Sequence, residues 1–203
     1  MSTSVPTANV RELDALIAAQ GLHIRFKEEG YAAWWHAVAS WFVIAMLWTF
    51  RLLSCGTFIK RYSDFTTVLG DSIYIGSPRA EFDPRKPSTH ATLRHELIHA
   101  YQRAKHGAVV FSLLYLFCAP AVFTWRHKFE KQAYLQQLIV EFETYGDISA
   151  ATIEWAASQF WSPAYLWMKP FKAQIREAFT THAQAIKEGD IKGLWPYKPE
   201  ALR

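Results

Sequence analysis

Cysteine is scarce in this 203-residue chain: the two, Cys55 and Cys118, both lie in apolar stretches. A disulfide framework is excluded by that count. Neither cysteine has metal-ligand spacing, so both read as small buried hydrophobes. A strong charge of one sign is lacking too. The formal net charge is +4, and Lys and Arg are spread along the chain. With no nucleic-acid motif present, nucleic acid is not an expected partner. The first thirty residues are polar and lack a signal-peptide pattern. No internal repeat or low-complexity linker divides the rest. We therefore expect a polar N-terminal segment over 1–30 and one domain over 31–203.

What is abundant is aromatic and apolar. Hydrophobic residues make up 51% and aromatics 16%, which excludes disorder, and nine Trp exceed what a small core holds. They point to apolar surface facing a membrane or a protein partner, and they leave room for an oligomer. Two apolar runs stand out. Residues 32–50 are near the membrane-spanning minimum, with Trp near both ends. Residues 108–125 form the second run.

Residues 95–99 read His-Glu-Leu-Ile-His. On a helix His95 and His99 sit one turn apart on one face, where both imidazoles reach one metal ion. Glu96, beside them, can take a proton from a metal-bound water. Pro84 and Pro87 break the preceding chain, Ser88 or Thr89 can cap the helix, and Gly107 stops it.

A catalytic zinc needs a third protein ligand and an open position. The extended motif with a third His is excluded, because Lys105 stands there and Gln102 replaces its Gly. His106 lies two turns on, too far to share the ion. The best candidate is Glu130, on a segment expected to be helical over 124–145 with Gly146 as its stop. Glu130, Ala133, Tyr134, Gln137 and Glu141 share one stripe of it, and small Ala133 allows close approach. Glu141 and Glu143 are weaker candidates. Two His and one carboxylate suit zinc best.

HELIHAYQ followed by an E-x-x-A-Y helix resembles the gluzincin metallopeptidases, particularly the small minigluzincin type and the HExxH proteins of bacteria and their phages. The resemblance covers roughly 58–145. It implies a zinc-dependent hydrolase cleaving peptide or amide bonds through a zinc-bound water, with Glu96 as general base. Large gluzincins carry an Asp four residues after the glutamate. Tyr134 stands there, and it can orient a histidine, stabilise the oxyanion or only pack. Tyr134, Tyr101 and His127 are the oxyanion candidates. The resemblance also gives Ile73, Tyr74 and Ile75, within an expected β-hairpin over 65–76, the place of a substrate-binding edge strand. The substrate would be a peptide or protein, and the setting cytoplasmic, membrane-associated or a viral particle. The alternative is a catalytically silent, zinc-stabilised structural protein.

If His99 and Glu130 meet on one ion, the 108–125 run must reverse, and Pro120 beside Cys118 and Ala119 is the expected turn. A stripe through Ile153, Ala156, Ala157, Phe160, Tyr165, Met168, Phe171, Ile175 and Phe179 reads as core or interface rather than a cofactor site. The fold expected is mainly α (α+β): a zinc-binding helix pair and a short hairpin, wrapped by long apolar helices.

Overall fold

The computed structural model describes residues 10–29, 65–69, 71–117, 125–161 and 171–190. The fold is mainly helical with a small sheet, an α+β arrangement. Two compact units divide the chain, 1–20 with 83–203, and 21–82. The 32–50 run and the expected turn at Cys118–Pro120 lie outside the described residues. So do Tyr165 and Met168.

The smaller unit holds β1 (His23–Phe26), β2 (Thr67–Leu69) and β3 (Ser72–Ile75) in the order β1-β3-β2. β2 and β3 form the expected hairpin, with Val68 opposite Ile73. β1 adds to the other side of β3 in parallel, pairing Ile24 with Ile73. This corrects the expectation for 73–75. Both edges of β3 are paired, so Ile73, Tyr74 and Ile75 have no free backbone edge to offer a substrate strand. Ser72, Ile73 and Ile75 are buried, as a central strand requires. A buried Lys27 donates its Nζ to the Phe65 carbonyl at 2.6 Å.

The larger unit is built on a helix pair, α2 (Pro87–His106) and α4 (His127–Tyr145). Pro87 is the first residue of α2 and Lys86 is its N-cap, with no side-chain cap. Ser88 and Thr89 are thus inside the helix and do not cap it. Proline's fixed φ and missing N–H suit that first position. Gly107 (φ 80) ends α2 and Gly146 (φ 71) ends α4, both in backbone conformations that favour glycine. Leu93 and Leu97 of α2 are fully buried, and α1 (Val10–Ala19) packs on that helix with Leu13, Leu16 and Ile17 buried. That spacing gives the polar N-terminal stretch one apolar face.

Beyond α4, α5 (Ala150–Ser158) starts at Ser149, whose Oγ accepts from the Thr152 amide at 3.1 Å. It packs with α6 (Lys172–Lys187) and α4 in one core of Tyr134, Leu138, Ala156, Phe160, Ile175 and Phe179. Most of the C-terminal stripe is therefore core. Phe171 is not: it is 60% exposed, because it precedes the first turn of α6.

The 108–125 run opens with α3 (Ala108–Ser112), which passes into a π-helical turn over Leu113–Phe117. The Arg126 guanidinium lies 5.0 Å from the centre of the Tyr115 ring, and the Phe111 and Phe129 rings are 5.2 Å apart. The arm over 108–117 thus lies against the start of α4, and the return over 118–124 lies outside the described residues. Among the described residues no helix is long and apolar enough to cross a membrane.

Candidate metal centre

α2 and α4 bring His95, His99 and Glu130 together in one buried group. The two Nε2 atoms are 3.1 Å apart. Glu130 Oε2 lies 3.4 Å from His95 Nε2 and 3.7 Å from His99 Nε2. A tetrahedral ion with metal–ligand distances of roughly 2.0–2.1 Å holds its ligand atoms about 3.3–3.4 Å apart. The three edges average that value. Glu130 is 1% exposed, and its Oε2 has no hydrogen bond among the described residues. A buried carboxylate oxygen facing two imidazole nitrogens without a hydrogen bond is costly unless a cation joins them. The group therefore fits a metal ion in donor type and in spacing.

Neighbours fix the orientation of two of the three. Gln102 is buried, and its Nε2 donates to the Phe129 carbonyl at 3.0 Å and to Gln132 Oε1 at 2.9 Å. That sets its Oε1 toward His99 Nδ1, 2.9 Å away. An amide oxygen only accepts, so Nδ1 carries the proton and Nε2 is left to bind. The Tyr115 hydroxyl donates to Glu130 Oε1, leaving Oε2 for the metal. The Tyr115 ring also stands edge-on to His99 at 5.6 Å.

Without a metal, the three groups share charge. Burial alone would lower His99, but the Glu130 carboxylate, helped by Glu96 and Gln102, raises it to about 9. Burial lowers His95, only partly offset by the Glu130 carboxylate beside it. Burial would raise Glu130, but the charge on His99 and the nearness of both imidazoles hold it well below the usual carboxylate range. The favoured metal-free state is one imidazolium against one carboxylate.

Of the other expected residues, Glu96 is buried and acts on His99 through its charge. Tyr134 is buried, edge-on to the His95 ring at 4.7 Å, and packs on Trp155 and Phe160. His127 stands against Phe160 at 5.4 Å and His106 against Phe129 at 5.4 Å, so both are packing rings. Glu143 pairs with Arg94, and Glu141 accepts from the Ser149 amide at 3.0 Å, so neither weaker candidate joins the group. A groove of ≈310 Å³ between α2 and α4, lined by Pro87, Ala91, Gln137 and Trp155, contains none of the three candidate ligands.

Sequence reasoning missed Tyr115 and the use of Gln102. Tyr115 has one usable signal, a phenol hydroxyl inside a mainly apolar run, which needs a partner when buried. Gln102 shows only as a departure from an extended motif. No family model matches the chain, and no curated protein or solved structure is similar to it.

Proposed function

We propose that this chain is a zinc-dependent hydrolase of peptide or amide bonds, of the gluzincin kind that its two motifs resemble. The observation that carries it is the convergence of His95, His99 and Glu130 at tetrahedral spacing, with Glu96 in the same helical turn as His95. Zinc bound there supplies a Lewis acid that polarises a carbonyl and lowers the pKa of a water molecule. Two imidazoles and one carboxylate favour zinc over ions that seek oxygen alone. Glu96 takes the proton of the attacking water and delivers it to the leaving amine. Gln102 and Tyr115 hold one histidine and the carboxylate in their binding orientations. Tyr134, packed in the core against His95, supports that ring's plane.

Elemental analysis beside a turnover assay tests this. Wild type should carry about one zinc per chain, as a single three-ligand site requires. Glu130→Ala should lose most of it. Glu96→Gln should keep the zinc and lose roughly 100- to 10,000-fold of its hydrolysis of an unfolded protein substrate. Wild-type rates in that variant reject Glu96 as the base.

A second reading has its own support. His95, His99 and Glu130 are 6%, 7% and 1% exposed, a closed environment that suits a metal serving only stability. In that case zinc raises the melting temperature of wild type and Glu96→Gln equally, and no hydrolysis accompanies it. A structural component of a phage particle would behave so.

A further inference from the structure

We propose that the outer face of the arm over 108–117 docks on an anionic lipid bilayer. The arm has two faces. Phe111 and Tyr115 turn inward, toward His99, Phe129 and Glu130. Val109, Val110 and Leu113 turn outward, 74%, 49% and 49% exposed, and Trp125 beside the arm's base is 38% exposed. These are four of the eight large hydrophobic side chains exposed among the described residues, gathered at one end of the helix pair.

The sequence on either side of them carries charge of one sign. From Leu97 to Phe129 the sequence has no Asp or Glu, but it has Arg103, Lys105, Arg126 and Lys128. Two contacts at Trp125 join the end of α2 to the start of α4, the two segments that carry these charges. The His106 ring, ending α2, is 6.1 Å from that of Trp125, and Lys128 Nζ is 5.0 Å from the centre of the same indole. Lys105 and Lys128 are exposed. An apolar face, an indole at its border and a basic collar match a segment lying in the bilayer interface. Basic residues there are drawn to anionic headgroups. A second copy of this chain fits poorly, because the two collars would meet with like charge. The arm is too short to cross a bilayer, so it lies on the surface. Its inner face, through Tyr115, touches the metal group, which docking would set one layer of side chains from the lipid.

The test is co-sedimentation of the full chain with phosphatidylcholine vesicles, with and without phosphatidylglycerol. Binding should require phosphatidylglycerol and weaken with added salt. The pair Val109→Glu with Leu113→Glu, and separately Lys105→Gln with Lys128→Gln, should each weaken it about tenfold or more. Melting temperature and metal content should not change. The proposal is overturned if anionic vesicles are not bound, or if both double variants bind as wild type does, which would assign binding to another segment. It is equally overturned if the glutamate pair lowers the melting temperature, since the face is then covered by the chain itself. Self-association abolished by that pair would give the face to a second copy and also overturn it.

Discussion

Metal binding at this centre should be coupled to the release of one proton. The perturbation is pH, and the group that responds is His99. Glu130 raises its pKa from 6.5 to about 9 in the metal-free protein, a difference of about 3 kcal/mol. Its Nδ1 proton is held by Gln102, so the proton displaced by a metal is the one on Nε2. His95 is lowered and Glu130 lies well below the usual range, so neither adds a second proton near pH 7. One group titrating near 9 makes the apparent dissociation constant for zinc fall about tenfold per pH unit, roughly 100-fold between pH 6 and pH 8. Chelator competition at three pH values measures the slope. Calorimetry in buffers of different protonation enthalpy counts the proton directly. The metal-free stability should follow the same linkage. A histidine raised in the folded state stabilises fully below 6.5, and that contribution is lost as pH rises through about 9. The melting temperature of the metal-free protein should therefore fall across that window, and that of the zinc-loaded protein should not. A dissociation constant that is flat from pH 6 to pH 8, with no proton released, would refute the shared-charge description of the three residues.

Three further outcomes follow from the packing. Gln102→Leu should weaken zinc roughly 10- to 100-fold, and equal affinity in that variant removes Gln102 from the centre. Burial, aided by the charge of Arg94, lowers His90 to about 4, so the folded state loses stability as pH falls from 6.5 toward 4. Allowing for solvent near the start of α2, His90→Leu should gain about 2 kcal/mol relative to wild type between pH 7 and pH 4, read by urea titration at both. Leu97→Ala empties a fully buried position beside the centre and should cost about 2–5 kcal/mol in the same titration.

Several features were legible in the residues alone because they depend on local chemistry. The four-residue spacing of His95 and His99 fixes their shared face once the segment is helical. Gly107 and Gly146 stop their helices by backbone freedom that needs no partner. The β2–β3 hairpin came from composition and a short turn. Glu130 was also within reach, because a metal needs a third donor and the E-x-x-A-Y helix offered one with room beside it.

The rest was set by contacts between segments far apart in sequence. Whether β3 is an edge or a centre depends on β1, some fifty residues earlier, and no pattern in 65–76 encodes that neighbour. Tyr115 reaches Glu130 only because the segment following α2 packs against the start of α4. Gln102 becomes an orienting group only when the Phe129 carbonyl on a second helix takes its amide hydrogens. Sequence thus determined which side chains could hold a metal, since ligand chemistry and helical periodicity are local. Tertiary structure decided how their nitrogen and oxygen atoms are aimed, since a lone pair is directed by its neighbours' hydrogen bonds, and those neighbours arrive by folding.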